Sequence, residues 1–267
     1  MDFDANKYHA RDYITDLAAA GRFQFVSSEA RAALRVSADA AKLALNRLAK
    51  RKMIASPARG FYVIVPPEYR LLGCLPADQF IPALMEQLGL PYYAGLLSAA
   101  QYHGAAHHRP QVFQVLVEKP RRPIHCGKVQ VAFITRKHLC KVPVQSFNTP
   151  RGTLRVSTPE ATALDLVGYQ HRAGGLDQVA TILSELAERL DPDRLVAAAQ
   201  SAPVPWAQRL GHLFEQVGAA GVAAPLKRYV ADTARHAVPL LPGAPDADGP
   251  HDCDWKLIVN AAVSAEL

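Results

Sequence analysis

The stretch "MIASPARGFYVIVPP", residues 53–67, constrains the fold most because it carries the signature of a complete β-hairpin. A first strand is predicted at Met53–Ala55 and a second, rich in β-branched and aromatic residues, at Phe61–Val65. Four turn-forming residues separate them: Ser56, Pro57, Arg59 and Gly60. Pro66 and Pro67 then stop the second strand, since proline cannot donate to a sheet ladder.

Three helices are predicted ahead of this hairpin. The first spans about residues 6–20 and stops at Gly21, and the second starts at Ser27 or Ser28 and ends near Val36. The third starts after Ser37 and runs through "ADAAKLALNRLAKRKM" with one apolar face. Three helices followed by a hairpin are the order of a winged helix-turn-helix, which we expect over residues 1–70.

The third helix has the chemistry expected of a helix that enters the major groove of DNA. Such a helix needs small or polar residues near its start to reach base edges, and cations farther along to meet phosphates. The candidates for base contacts are Ser37, Ala38, Asp39, Lys42 and Asn46. The candidates for phosphate contacts are Arg47, Lys50, Arg51 and Lys52. Arg59 at the hairpin tip is a candidate for the flanking minor groove.

The charge pattern favours DNA binding over the alternative, a winged helix that docks to proteins. Residues 1–70 contain 12 Lys and Arg against 7 Asp and Glu, and six basic residues without an acid lie between Lys42 and Arg59. Such a tract attracts phosphate backbones or acidic partners.

Length and composition indicate a two-domain protein of the cytoplasm. The chain has 267 residues, of which 49% are hydrophobic and 20% charged, enough for a substantial core. The four cysteines, Cys74, Cys126, Cys140 and Cys253, form no CxxC pair, so no zinc cage or disulfide framework is expected. The charged start and the lack of an 18-residue apolar run predict neither a signal peptide nor a membrane span.

Residues 71–267 are predicted to form a mixed α/β domain with a helical C-terminal part. "ADQFIPALMEQLGL" and "PYYAGLLSAAQYHG" read as helices, the second with Tyr93 in its apolar stripe, and alternating strands follow between residues 112 and 157. A helix then starts at "STPEATALDLVGY", capped by either Ser157 or Thr158. Further helices are expected at about 175–189, 192–200, 205–217 and 222–235, before a short strand "DWKLIVN".

A second basic tract, residues 119–155, contains nine Lys and Arg and no acid. It is a candidate for a second surface that faces nucleic acid or a toxin, and the alternative is a solvated sheet edge protected by charge. The candidate residues are Lys119, Arg121, Arg122, Lys128, Arg136 and Lys137.

The order of several segments resembles the AbiEi antitoxins of type IV toxin–antitoxin (abortive infection) systems. The similar segments are "RGFYVIVPP", "PYYAGLLSAAQYHG", "VFQVLV", "LRVSTPEATALDLVGY" and "WKLIVN". The loop "PGAPDADGPHDCD", within residues 242–254, departs from the pattern. The resemblance implies a winged helix that binds the operon's own promoter and represses it. It also implies a C-terminal domain that counteracts a nucleotidyltransferase-like toxin, with no requirement for a tight complex. The sequence has no GxSxG, Walker lysine loop or GxGxxG motif, so we expect neither enzyme activity nor a cofactor.

Metal-dependent alternatives have weaker support in the sequence. His103 and His107 in "HGAAHHRP" lie at helical spacing, but no HExxH arrangement surrounds them and Gly104 ends the helix between them, so we expect no metal. His103 is instead expected to serve the exposed carbonyls at the end of its helix. The acidic loop with Asp246, Asp248, Asp252 and Asp254 lacks the order of a calcium-binding EF-hand.

Two other functions are compatible with a DNA-binding module. A metal-dependent nuclease would need clustered carboxylates, for which Glu118 beside Lys119, Asp165 and Asp254 are the candidates. A transcriptional repressor that senses a small ligand would need a pocket in the second domain, and no convergent set of polar residues defines one in the sequence.

Overall fold

The computed structural model describes residues 8–105, 110–244 and 249–265, which fold into two compact units drawn from alternating segments of the chain. Unit 1 comprises Met1–Pro91, Gln111–Ile134 and Ser146–Leu154, and unit 2 comprises Tyr92–Pro110, Thr135–Gln145 and Arg155–Leu267. The expected division into a winged-helix domain, residues 1–70, and an α/β domain, residues 71–267, stays a prediction.

The described residues form ten α-helices and several sheets, which confirms a mixed α/β protein. The helices are α1 (Ala10–Ala19), α2 (Ser27–Leu34), α3 (Ala38–Lys50), α4 (Ala77–Gln87), α5 (Leu96–Tyr102), α6 (Pro159–Gly168), α7 (Leu176–Ala187), α8 (Pro192–Ala199), α9 (Val204–Gln216) and α10 (Ala220–Thr233). The strands are β1 (Gln24–Val26), β2 (Ile54–Ala58), β3 (Phe61–Ile64), β4 (Tyr92–Ala94), β5 (Val112–Val117), β6 (Ile124–Cys126), β7 (Val129–Thr135), β8 (Val144–Thr149), β9 (Gly152–Ser157), β10 (Val238–Pro239), β11 (His251–Asp252) and β12 (Leu257–Ile258).

Residues 8–65 of unit 1 have their own hydrophobic core. Three helices, α1 to α3, pack with an antiparallel sheet of order β1-β3-β2. The buried residues of this core come from every one of these elements: Tyr13, Ile14, Phe25, Ala30, Leu45, Leu48, Ile54 and Ile64. The predicted order of three helices and a hairpin is therefore confirmed as a sequence of elements, with the short strand β1 added before α2.

The β2–β3 hairpin is tighter than the sequence predicted. Strand β2 continues to Ala58, so the turn consists of Arg59 and Gly60. Gly60 has φ +76°, a conformation that glycine adopts without strain. Pro57 lies inside β2, where the register shifts between Ala55 and Ala58, and such an irregularity accommodates a residue that cannot donate to the ladder.

The starts of α2 and α3 differ in how they are capped. Neither Ser27 nor Ser28 caps α2; the Glu29 carboxylate accepts from the Val26 N–H at 3.0 Å and pairs with Arg22 at 2.8 Å. The Ser37 hydroxyl accepts from the Ala40 N–H at 3.3 Å, which makes it the N-cap predicted for α3.

The rest of unit 1 includes α4 and the strands β5 to β7, among which β7 lies between β6 and β5. β6 and β7 form an antiparallel hairpin that turns at Gly127 and Lys128. The Lys128 N–H donates to the Leu72 carbonyl at 2.7 Å. A Cβ at Gly127 would collide with that carbonyl, so the close approach of the two segments requires glycine.

In unit 2 the segment "PYYAGLLSAAQYHG" is not one helix, which corrects the sequence prediction. Its first residues form β4, which pairs in parallel with β9 through Ala94 and Val156. The helix α5 begins only at Leu96, and Tyr93 is therefore a strand residue. The predicted end is right, since Gly104 follows the helix with φ +70°.

The core of unit 2 surrounds α6, which is buried from Glu160 through Val167 and contacts α5, α7, α8 and α9. Thr158 caps this helix by accepting from the Ala161 N–H at 3.3 Å, and Pro159 occupies its first position, so the choice left open between Ser157 and Thr158 is decided. Helices α7 to α10 lie where the sequence predicted them. None of the helices in the described part of the chain is both long and apolar enough to cross a bilayer.

Candidate functional site

Helix α3 has a buried face and an exposed face that separate its packing residues from its predicted ligand-binding residues. Ala41, Leu45 and Leu48 are buried in the N-terminal core. All the residues predicted to contact DNA are exposed: Ser37, Ala38, Asp39, Lys42, Asn46, Arg47, Lys50, Arg51, Lys52 and Arg59. The predicted residues thus lie at the N-cap of α3, along α3, just beyond its end, and at the turn of the β2–β3 hairpin.

The cations of this surface have no counterion among the residues that the structure describes. No carboxylate of residues 8–105, 110–244 or 249–265 forms a salt bridge with Lys42, Arg47 or Arg59, or with the cations at residues 50–52. The Arg22–Glu29 pair in the same unit shows the opposite arrangement, in which both charges are satisfied. Unpaired cations on an exposed helix face are available for an anionic ligand.

The second basic tract is only partly a surface. Lys119, Arg122 and Lys128 are exposed in unit 1, and Lys137 is exposed in unit 2. Arg121 is half-buried, with its guanidinium 5.6 Å from the centroid of the Phe133 ring. The four exposed cations remain candidates for a second binding surface, whereas Arg121 partly packs against Phe133.

Arg136 must be removed from that candidate surface, because its side chain is only 5% exposed. Its Nε donates to Asp165 Oδ1 at 3.2 Å and its Nη2 donates to the Ser201 carbonyl at 3.0 Å. The guanidinium also lies 4.6 Å from the centroid of the Trp206 ring. Burial of a guanidinium is costly unless it is paired and hydrogen-bonded, and here the fold of unit 2 supplies both.

Asp165, the partner of Arg136, is 1% exposed and also accepts from the Tyr93 hydroxyl at 2.8 Å. Burial raises the pKa of the Asp165 carboxyl to about 6, while Arg136 and the Tyr93 hydroxyl act in the opposite direction. Burial and the neighbouring Asp165 raise the pKa of Tyr93, which keeps the phenol protonated as a donor. The three side chains form a satisfied polar network within the core of unit 2.

His103 is buried and hydrogen-bonded, and it does not serve the carbonyls of its own helix as predicted. Its Nε2 lies 2.8 Å from the Ser157 carbonyl and its Nδ1 lies 3.4 Å from Nε2 of Gln145. Because a carbonyl only accepts, Nε2 carries the proton. Burial lowers the pKa of His103, in agreement with a neutral ring. His107 and His108 lie outside the described residues.

Two of the three carboxylates considered for a nuclease are engaged in other contacts. Asp165 belongs to the buried network, and Asp254 accepts from Lys227 at 2.6 Å. Glu118 is exposed just after β5. In the described part of the chain, no three His, Cys, Asp or Glu side chains lie close enough together to hold a metal ion. Asp246 and Asp248 of the acidic loop lie outside the described residues. Asp252 Oδ2 accepts from Nδ1 of His212 at 2.7 Å.

Unit 2 contains a cleft of about 370 Å³, which is relevant to the alternative of a repressor that senses a small ligand. Gln145, Glu160 and Arg189 line it, together with Asp191. Two of these acids already serve the backbone: Glu160 accepts from the Asp191 N–H, and Asp191 caps α8. Two arginines, Arg189 and Arg194, also line this cleft, and the ligand-sensing alternative stays a hypothesis.

Sequence reasoning missed the buried network and one exposed cation. Arg136 and Asp165 are 29 residues apart, and no local pattern connects them. Arg31, exposed on α2, follows Ser28 by three residues, a spacing that puts both on one helix face and could have signalled a shared role.

Together, the fold and the exposed cations define a mixed α/β protein with a basic N-terminal helical region and a second, helix-rich part. Residues 93–216 match the family described as the AbiEi antitoxin C-terminal domain. This match to the AbiEi antitoxin C-terminal domain confirms the resemblance found in the sequence and supports an antitoxin role in a toxin–antitoxin system. The match begins after β3 and so does not extend to α1–α3.

The fold is also similar to a solved structure, the crystal structure of the RV2827C protein from Mycobacterium tuberculosis. The TM-score is 0.65 at 15% sequence identity, and the similarity covers 95% of this chain and 92% of that chain. At this identity the likeness concerns the fold alone. Comparison with curated proteins found no match.

Proposed function

We propose that this protein is a DNA-binding antitoxin that represses its own operon. In this proposal residues 1–70 are a winged helix-turn-helix, with α3 as the recognition helix and the β2–β3 hairpin as the wing. The observation that carries the proposal is the exposed, unpaired set of cations on α3 and at the hairpin turn. A helix of this shape fits the major groove, and the counterion-free cations fit the phosphates that border it.

The residues divide into two roles along α3. Near its start, Asp39, Lys42 and Asn46 are proposed to lie at the base edges, where Ser37 and Ala38 leave room for the approach. Farther along, Arg47 and Lys50 to Lys52 are proposed to contact phosphates, which sets the register on the duplex. Arg59 of the wing is proposed to enter the flanking minor groove.

The segment from residue 71 onward is proposed to counteract a nucleotidyltransferase-like toxin. The match of residues 93–216 to the AbiEi antitoxin C-terminal domain supports this assignment. The exposed cations at residues 119, 122, 128 and 137, with half-buried Arg121, are proposed as a second surface for nucleic acid or toxin. The proposal requires neither a metal nor another cofactor, and it assigns no enzyme activity to the chain.

The DNA-binding part is tested with a duplex from upstream of the protein's own gene. The protein should bind it with a strong salt dependence, because binding to phosphates releases counterions. Lys42→Ala combined with Asn46→Ala should weaken binding by about 10-fold or more, since each good base contact contributes about 1–3 kcal/mol. Fluorescence anisotropy across a salt series measures both effects.

The matched control removes one cation and one amide elsewhere in unit 1, with Arg70→Ala and Gln87→Ala, both exposed positions. The control should bind as the wild type does. Salt-insensitive binding, or no binding by the wild-type protein, would contradict the proposal. For the antitoxin part, co-expression with the product of a neighbouring nucleotidyltransferase-like gene should restore growth, and growth arrest despite co-expression would contradict it.

A further inference from the structure

A cleft of about 420 Å³ in unit 1 lies beside the proposed recognition helix. It is lined by the start of α2, by one side of α3 and by the turn of the β2–β3 hairpin. Each of these three elements contributes one cation to it: Arg31, Lys42 and Arg59. None of the three has a carboxylate partner among the residues that the structure describes. Three unpaired positive charges around one concave site favour an anion.

Hydrogen-bond donors complete the cleft. The hydroxyls of Ser27 and Ser28 line it, and the Ser27 N–H donates to the Gly60 carbonyl at 3.0 Å, which fixes the hairpin turn against the start of α2. No side chain accepts from the first-turn amides of α2 as a cap. The amides that follow Ser27 carry the partial positive charge of a helix N-terminus and can donate to an anion that approaches it, whereas the Ser27 N–H is already engaged by Gly60.

The acid in the same helical turn does not neutralise the cleft. Glu29 is paired with Arg22 at 2.8 Å and accepts from the Val26 N–H at 3.0 Å. Both carboxylate oxygens are therefore engaged away from Arg31 and Lys42, and Glu29 is not among the residues that line the cleft.

We propose that this cleft binds one backbone phosphate of duplex DNA, with Arg31, Lys42 and Arg59 as its charge partners and Ser28 as a hydroxyl donor. This inference rests on the proposed function, because α3 must lie in the groove for the backbone to reach the cleft. It adds Arg31 and Ser28 to the contact set and moves Lys42 from reading bases to binding phosphate. Such contacts position the protein without reading sequence.

The first experiment compares Arg31→Ala with the wild type on the operator duplex and on a duplex of scrambled sequence. Loss of one phosphate contact should weaken binding to both duplexes by about fivefold near physiological salt, and the slope of log K against log salt should fall by about one. Arg31→Lys should retain the slope, and Ser28→Ala should have a smaller effect on both duplexes. Arg70→Ala is the matched control, with an exposed cation outside the cleft.

The second experiment replaces single phosphates of the operator by neutral methylphosphonates. One position should weaken wild-type binding and have a much smaller effect on Arg31→Ala, because the two changes remove the same contact. Additive effects at every position would overturn the inference. Thermal unfolding of each variant checks that the fold is intact, and Arg31→Gln replaces Arg31→Ala if the latter unfolds early.

The outcomes separate this inference from the function on which it rests. If Arg31→Ala binds as tightly as the wild type while the Lys42→Ala, Asn46→Ala variant does not, the cleft holds no phosphate and the DNA-binding proposal stands. If the wild-type protein binds neither duplex, the DNA-binding proposal fails and the inference fails with it. A loss confined to the operator duplex would overturn the inference, because a phosphate contact does not discriminate between sequences.

Discussion

Arginine has opposite roles in the two units of this protein. Arg59 in unit 1 projects from a hairpin turn, is exposed and has no carboxylate partner in the described part of the chain. Arg136 in unit 2 is almost fully buried, donates to Asp165 and to the Ser201 carbonyl, and lies over Trp206. The guanidinium of Arg59 is available to a ligand, whereas that of Arg136 is engaged in contacts within the protein.

The difference shows what a run of basic residues in a sequence can and cannot indicate. Arg59 and Arg136 each belong to a tract without acids, so charge counting treats them alike. Burial distinguishes the two residues. A buried guanidinium loses its hydration and needs hydrogen bonds to a carboxylate and carbonyls to offset that cost, whereas an exposed guanidinium stays hydrated. The partner of Arg136 comes from α6, outside the basic tract.

The largest effect is expected from breaking the buried pair. Asp165→Ala leaves Arg136 as an unpaired buried charge, and the free energy of unfolding should fall by about 3–5 kcal/mol. Arg59→Ala should change it by less than about 0.5 kcal/mol, because the side chain is exposed. Urea unfolding at neutral pH measures both.

The control for this prediction replaces both partners by apolar residues, as Arg136→Met with Asp165→Leu. This variant should be more stable than Asp165→Ala, since no charge remains buried. Equal stability of Asp165→Ala and wild type would show that the ion pair contributes nothing to the fold of unit 2.

A smaller effect is expected from the protonation of Asp165, whose pKa burial raises to about 6 from a usual value of 3.8. The folded state therefore binds this proton more tightly than the unfolded state, and the resulting stabilisation is present at acid pH and lost as the pH rises through about 6. Asp165→Asn lacks this titration. The difference in unfolding free energy, wild type minus variant, should fall by about 2–3 kcal/mol between about pH 4 and pH 7.

The quantity to measure is the difference in unfolding free energy between the wild type and Asp165→Asn. His103 also titrates in this range, and its effect on stability has the opposite pH dependence to that of Asp165. Burial lowers the pKa of His103, so its contribution to stability is lost as the pH falls below its usual value of 6.5. That contribution is common to both proteins and cancels. A difference that rises with pH over the same window would contradict the direction given for Asp165.

Among residues that make contacts within the fold, the smallest effects are expected from the helix caps, which exist in both regions. Ser37 caps α3 at the surface, and Thr158 caps α6 in the core of unit 2. Replacement of either by alanine should lower the free energy of unfolding by about 1 kcal/mol. The control is Ser28→Ala, at an exposed serine that caps no helix, and it should change the free energy of unfolding little. The buried Ser157 is not suitable as a control. A loss from Ser28→Ala as large as that from Ser37→Ala would contradict the capping assignment.

The local parts of the fold could be predicted from the sequence. The apolar stripe of α3, the cap at Ser37 and the turn at Gly60 are all specified within a few residues, and the structure contains each of them. The exposure of Lys42 and Asn46 followed from the same helical periodicity.

The parts that failed depend on partners far along the chain. Tyr93 fits a helical stripe, but its segment becomes β4 through parallel pairing of Ala94 with Val156. His103 and Arg136 were assigned to exposed roles, and their partners, Ser157 and Asp165, lie 54 and 29 residues away. Periodicity within one segment carries no information about such contacts.

The alternation of the two units along the chain limits how this protein could have been assembled in evolution. Three segments of each unit alternate, so the backbone passes from one unit to the other five times. The AbiEi match, residues 93–216, itself spans segments of both units. A single recombination event can transfer a contiguous stretch of gene, but neither unit is encoded by one. One such event could therefore not transfer either unit whole, whereas residues 8–65, with a core of their own, are contiguous in the gene.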